Sequence, residues 1–260
     1  MEKAKKDLAS YREFLKIIPL DKYRETLKGV KWVEQDLYPG MLPLESIFRN
    51  YWHNQNFLDF ESWFEQFWQE LHSDPEKLKV LKEFKKYYFD KDDDGWFKLG
   101  FKARMYRTWM SVLTQIDFYY VFRYVCRKMG KEISFEANAE LDRKGIDMRI
   151  GGVDFGISKV SQRKEARSAS GAQRRLIIVP YAVFNIGEFI RKAGSPRVTP
   201  ASRRAYRKSV EAFHKYFVYL DNGFVVFGEN YAEMIVDNIN NTEGLIKAIK
   251  IMGKELSGEE

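Results

Sequence analysis

The residues best placed to do chemistry together lie in ELDRKGIDMRIGGVDFGISKV, residues 140–160. Asp142 and Asp147 are separated by four residues, and Lys159 follows on the next extended run. Paired carboxylates suit a hard divalent cation, and Mg²⁺ in particular binds one or two of them while keeping waters and phosphate oxygens in its shell. A cation held in that way activates a water and offsets the charge that develops on a phosphoryl group. On composition alone an opposing reading stands beside it, because Asp is also common as a capping residue in turns.

The elements that position these residues are legible from their pattern. Gly151-Gly152 is a two-residue hairpin turn. Counting outward from it pairs Ile150 with Val153, Arg149 with Asp154, Met148 with Phe155 and Asp147 with Gly156. Side chains alternate along a strand, so Met148, Ile150, Val153, Phe155 and Ile157 form a buried face. Asp147, Arg149, Asp154, Gly156 and Ser158 share the other face, and Lys159 points away from it.

Around the hairpin, ISFEAN and RRLIIVPYAVF read as further strands, as does NGFVVFG near the end of the chain. Helical spacing of apolar residues appears in SYREFLKIIPL, LDFESWFEQFWQELH and PEKLKVLKEFKKYYF, with Ser73-Asp74-Pro75 as a start signal for the last. Phe101 to Gly130 is apolar on more than one face and ends in glycine, which predicts a long buried helix behind a sheet. Two more helical patterns surround Glu188 and run from Pro200 to Leu220, with a loop at residues 193–202. The aromatic stripe at 63, 64, 67 and 68 has helical spacing and reads as core. Together these predict an α/β fold, a central mixed β-sheet flanked by helices, with a mainly helical N-terminal region at 1–99 and the sheet-bearing core at 100–260.

The chain has 260 residues, 45% of them hydrophobic and 16% aromatic, enough apolar material for a sizeable core rather than a disordered chain. Cys126 is the sole cysteine, so no internal disulfide forms, and no apolar run is long enough for a membrane span. A cytoplasmic location is the expectation. The net charge of +7 is unevenly spread: Lys159 to Lys208 carries 13 Lys and Arg against Glu165 and Glu188, a local +11 that leaves the remainder at −4. Such a stretch is the footprint of a polyanion-binding face. Asp90 to Gly95 imitates the start of a calcium loop, but Phe101 stands where the bidentate Glu belongs. The three histidines have no ligand spacing, which argues against zinc.

The stretches KGVKWVEQDLYPGMLPLESIFRNYW, LDFESWFEQFW, FKARMYRTWMSVLTQ, ELDRKGIDMRI, KVSQRKEAR and LDNGFVVF are similar, in wording and order, to the TaqI-like type II restriction endonucleases. The resemblance implies a nuclease fold of restriction-endonuclease type with a PD-(D/E)XK site. It also implies Mg²⁺ as cofactor, double-stranded DNA as partner, and a four-base palindrome, TCGA, cut after its first base. By that likeness Asp142 and Asp147 are the acidic catalytic residues, with Asp147 the firmer metal ligand. A palindrome is most simply read by a symmetric homodimer.

One departure stands out. The family carries Gln-x-Lys-Lys on the second hairpin strand, where this chain has Gly156-Ile157-Ser158-Lys159, so only Lys159 remains as a catalytic lysine. A left-handed bulge at Gly156 is the expected device for turning Lys159 toward Asp147. Arg163, Lys164 and Arg167 beyond the strand, and Arg203, Arg204 and Arg207 on a later helix, are the expected DNA contacts. Glu165 is expected to orient one of the neighbouring arginines. The competing expectation is a DNA-binding protein with weakened or no catalysis.

Overall fold

The computed structural model describes residues 1–27, 29–30, 37–38, 40–41, 43–88, 94–173 and 176–259. Most of the stretch from Lys28 to Leu42, the acidic turn at Asp90 to Asp93, and Arg174 and Arg175 of the basic stretch lie outside the described residues. The chain forms two compact units, residues 17–116 and residues 1–16 joined with 117–260. The division differs from one placed at residue 99 in two respects. Helix α1 (Glu2–Ile17) belongs almost wholly to the unit that holds the sheet, and the other boundary falls inside a single long helix.

The helical unit contains α2 (Leu20–Leu27), α3 (Pro43–Ile47), a π-helical turn (Phe48–His53), α4 (Phe60–Ser73), α5 (Pro75–Tyr88) and most of α6 (Asp94–Lys128). Asp59 caps α4 by accepting from Ser62 N at 2.9 Å. The aromatic stripe is core, as its spacing predicts: Trp63, Phe64 and Phe67 are buried and Trp68 is half-buried. Two of the buried aromatic side chains in this core share a chain of hydrogen bonds. Trp109 Nε1 donates to Tyr51 Oη at 2.9 Å, and Tyr51 Oη donates to Leu58 O at 2.6 Å. α6 begins seven residues before Phe101, the start expected from apolar spacing.

The second unit is built on a five-stranded mixed sheet. In chain order its elements are β1 (Phe135–Glu136), α7 (Ala139–Arg143), β2 (Met148–Ile150), β3 (Val153–Val160), α8 (Glu165–Ser168), β4 (Gly171–Gln173) and β5 (Leu176–Ala182). Next come α9 (Ile186–Gly194), α10 (Pro200–Tyr216), β6 (Phe217–Tyr219), β7 (Val225–Phe227), α11 (Glu229–Asn238) and α12 (Thr242–Ser257). The strand order is β1-β2-β3-β5-β4; β3 and β5 run parallel and the remaining pairs antiparallel. The fold is therefore α/β, with helices around a mixed sheet. Met148, Ile150 and Phe155 are buried, while Val153 and Ile157 are half-buried.

Three elements depart from the sequence expectation. The helix expected to reach Leu220 stops at Tyr216, because Phe217 to Tyr219 pairs with Val225 to Phe227 and Phe217 is buried against Phe227 and Tyr231. The run ISFEAN contributes only two paired residues. Gly171-Ala172-Gln173 forms an edge strand with no β-branched or aromatic residue to announce it.

A buried ion pair ties α1 into this unit. The Asp117 carboxylate, fully buried on α6, accepts from Phe227 N at 2.8 Å and from Arg12 Nε at 3.3 Å; Arg12 Nη2 also donates to Phe227 O at 2.5 Å. Burial pushes the Asp117 carboxyl upward, and Arg12 opposes that shift. Among the described residues no helix is long and apolar enough to cross a membrane.

Candidate active site

The spacing of the two aspartates follows from how α7 ends. Asn138 caps its start, with Oδ1 accepting from Glu140 N at 3.0 Å and Leu141 N at 2.9 Å. At the other end Gly145 has φ +74°, with Gly145 N donating to Asp142 O at 2.8 Å and Ile146 N to Leu141 O at 3.0 Å. This pair of bonds is a Schellman motif, which needs a left-handed residue at the position Gly145 fills. Asp142 thus lies in the last turn of the helix, and Asp147 is the first residue after the motif. Both are half-buried.

Asp147 is then held against β3. Its Oδ2 accepts from Ile157 N at 2.5 Å, taking the place of a strand carbonyl where the backbone of Ile146 has turned away to Leu141. The register of the hairpin is as counted from the turn, from Ile150↔Val153 to Met148↔Phe155. Beyond that point it departs from expectation. Asp147 N donates to Phe155 O at 3.0 Å, so Asp147 and Met148 both oppose Phe155, which is the arrangement of a bulge.

The bulge expected at Gly156 is not formed. β3 pairs with β5 without interruption from Phe155↔Ile177 to Val160↔Ala182, and Gly156 is not among the glycines with positive φ. A Cβ on Gly156 would come within 2.9 Å of Leu176 Cδ2 and 3.1 Å of Ile178 Cδ1, so glycine here answers side-chain crowding from β5. The irregularity sits on the facing strand instead. It breaks the alternation of β2 at Asp147, and the count that set Asp147 and Lys159 on opposite faces no longer applies. Lys159 is exposed, and among the described residues its amine makes no hydrogen bond or ion pair, with Asp147 or any other group.

Other charged groups of the hairpin are engaged with one another. Arg149 donates from Nε to Asp154 Oδ1 at 2.6 Å and lies 3.7 Å from Glu136 Oε2. Lys144 pairs with Glu140 at 2.8 Å. Among the described residues no three His, Cys, Asp or Glu side chains cluster as a metal cage. Two carboxylates set by one tight turn nevertheless fit Mg²⁺, which takes few protein ligands and relies on water and phosphate for the rest.

Past β3 the basic residues divide into anchors and exposed cations. Arg163 turns inward: Nη1 donates to Ser257 O at 2.7 Å, at the C-terminal end of α12, and its guanidinium lies 4.9 Å from the Tyr206 ring centre. Lys192 lies 5.4 Å from the same ring and bonds Glu188 at 2.6 Å. Arg167 pairs with Glu259 at 3.1 Å, and Arg207 Nη2 reaches Ala193 O at 3.5 Å. Lys164, Arg203 and Arg204 have no side-chain partner among the described residues. The contact of Arg163 with Tyr206 brings the Arg-rich start of α10 beside the turn that follows β3. Glu165 does not orient an arginine as expected; it binds backbone N–H groups of Ser161 and Gln162.

Residues 8–239 match the model of the TaqI restriction endonuclease family. The chain belongs to that family. It is 34% identical to the type II restriction enzyme TthHB8I of Thermus thermophilus, with 98% of each chain covered. It is 32% identical to the type II restriction enzyme TaqI of Thermus aquaticus, with 98% of this chain and 97% of that one covered. No solved structure matches it.

For a TaqI-family chain the structure therefore brings Asp142 and Asp147 to one turn, and it leaves Lys159, on the strand that Asp147 grips, without a partner among the described residues. Sequence reasoning missed Asn138, Gly145 and the Ile157 N–H. The first two had a signal, since Asn followed by a five-residue helix and Gly at the left-handed position are capping patterns. The third is a backbone group and had none.

Proposed function

We propose that this TaqI-family chain is a Mg²⁺-dependent type II restriction endonuclease that hydrolyses double-stranded DNA within TCGA, after the first base, as a homodimer in the cytoplasm. The observation that carries the proposal is the α7 ending, which fixes Asp142 and Asp147 on either side of one Schellman turn, beside a strand that leads to exposed cations.

In this reading Asp142 and Asp147 hold the metal. When bound, Mg²⁺ supplies a more acidic water and compensates charge on the scissile phosphate. The chain does the positioning. The Ile157 N–H fixes the Asp147 carboxylate in place, so little reorganisation is left for the moment of reaction. Lys159, whose amine has no partner among the described residues, donates a hydrogen bond to the attacking water and orients it. Arg203 and Arg204 on α10 contact phosphates and set the register of the duplex.

Incubating the purified protein with plasmid and Mg²⁺, then sequencing the fragment ends, tests the reading. Discrete fragments ending within TCGA are expected. Tight binding without cutting would instead support a DNA-binding protein that lost its catalysis, the reading favoured by the missing Gln and Lys of the family pattern. Lys159→Ala is expected to slow cutting by about 10²-fold or more while binding persists, the usual scale for a positioned proton-transfer group. An unchanged rate removes Lys159 from the mechanism.

A further inference from the structure

Two of the three basic residues expected to touch DNA just after β3 are engaged with the protein, Arg163 with Ser257 O and Tyr206, Arg167 with Glu259. The turn that holds them is nevertheless exposed and firmly built. Glu165 Oε2 accepts from Ser161 N at 2.9 Å, Gln162 N at 3.0 Å and Ser161 Oγ at 3.3 Å. Those backbone bonds hold the Glu165 carboxyl below its usual range, so the arrangement is fully charged at neutral pH. On the strand side Val183 N donates to Val160 O at 2.8 Å, and on the far side Arg163 is anchored on α12. The turn is fixed at both ends and from within.

What this turn presents is specific. Gln162 and Lys164 are exposed, and neither side chain has a partner among the described residues. Glu165 is the acidic residue of the turn, and its charge is spent on the backbone. An exposed turn held by three bonds to one carboxylate, yet offering an amide and an ammonium to solvent, is more preorganised than a connection requires.

We propose that Ser161 to Lys164 is a preformed DNA-recognition turn in which Gln162 is the specificity-determining side chain, Lys164 meets a phosphate and Glu165 is the positioning residue. The inference rests on the reading of the chain as a DNA-cutting enzyme. A glutamine amide carries a donor and an acceptor side by side and matches the N6 and N7 edge of adenine in the major groove. The proposed TCGA site offers one adenine on each strand. Gln162 lies three residues from Lys159, a backbone span of at most about 10 Å. That limit is no more than about three base steps along a strand at 3.4 Å each, so the two side chains stay within reach of one four-base site.

The test is competitive binding in Ca²⁺, with a labelled TCGA duplex against unlabelled duplexes altered at one position each, for the wild type, Gln162→Ala and Glu165→Gln. Gln162→Ala is expected to lose on the order of 10- to 100-fold of discrimination at the adenine position, with little change elsewhere. Glu165→Gln is expected to lose part of the same discrimination with its unfolding midpoint nearly unchanged, whereas a purely structural role would move the midpoint and leave the ratios alone. Wild-type ratios at every position in Gln162→Ala overturn the proposal, and so does a wild type with no preference for TCGA. A wild type that prefers TCGA but does not cut it in Mg²⁺ sinks the endonuclease reading, while a selective loss in Gln162→Ala still supports the recognition turn.

Discussion

Asp147 does two things with one side chain: it accepts the Ile157 N–H and it faces the site proposed for Mg²⁺. Replacing it with alanine removes both and leaves a backbone donor without its acceptor, at a cost of about 1–3 kcal/mol if the group stays buried. Asparagine keeps an oxygen in nearly the same place and removes only the charge. Asp147→Asn is therefore expected to fold with a near-wild-type melting temperature, to bind duplex DNA, and to cut it at least about 10³-fold more slowly, since several kcal/mol of charge stabilisation are lost. Single-turnover cleavage alongside a binding titration checks this; cutting within a few-fold of wild type would remove Asp147 as the metal ligand. Type and spacing drew attention to the two carboxylates but left a capping role equally open, and it was the resemblance to the TaqI-like family that singled them out. The state of Lys159 was not, because it depends on which strand of the hairpin carries the extra residue. Gly156 looked like the place for a bulge, but the crowding of Leu176 and Ile178 explains that glycine, and the irregular residue is Asp147 itself.

At the scale of elements, the site depends on the short α7 stopping at the right residue. Gly145 has φ +74°, and a Cβ added there would meet no atom within 4 Å, so substitution strains the backbone without any clash. Gly145→Ala is expected to cost about 1–2 kcal/mol, the penalty for a left-handed L-residue. If that strain is relieved by unwinding the Schellman turn, Asp142 and Asp147 separate. Cleavage should then fall further than the stability loss explains. Gly145→Asn, which tolerates the same region, should retain most of both. Thermal melts and cleavage rates for the pair decide the matter: equal activity in the two variants would mean that the turn does not set the aspartates. The same scale shows where sequence reading succeeds and fails. α4 announced itself by periodicity and the β2–β3 hairpin by Gly151-Gly152. β6 was hidden inside an apparent helix, because Phe217-Val218-Tyr219 continues a helical pattern until β7 is there to pair with it. Edge strand β4 exists through its partner β5 alone.

Taken as a whole molecule, the chain separates its charges: the +11 stretch from Lys159 to Lys208 lies entirely in the sheet-bearing unit. Not all of that charge is available to DNA. Arg163, Arg167 and Lys192 are matched with a carbonyl, Glu259 and Glu188, whereas Arg203 and Arg204 near the start of α10 have no partner among the described residues. Matched cations release few counterions when DNA arrives, and unmatched ones release many, so the salt dependence of binding should follow the second group. Each phosphate contact contributes about −0.9 to the slope of log K against log salt. The double variant Arg203→Ala/Arg204→Ala is expected to flatten that slope by about 2 for each protomer bound. Affinity for TCGA and for unrelated duplexes should fall alike, because phosphate contacts carry no sequence information. Arg167→Ala, which leaves Glu259 behind, should change the slope little. Binding isotherms from low to moderate salt separate these cases. A slope unmoved by the α10 double variant would place the phosphate contacts elsewhere on the unit, and a loss confined to TCGA would make those arginines readers of bases instead.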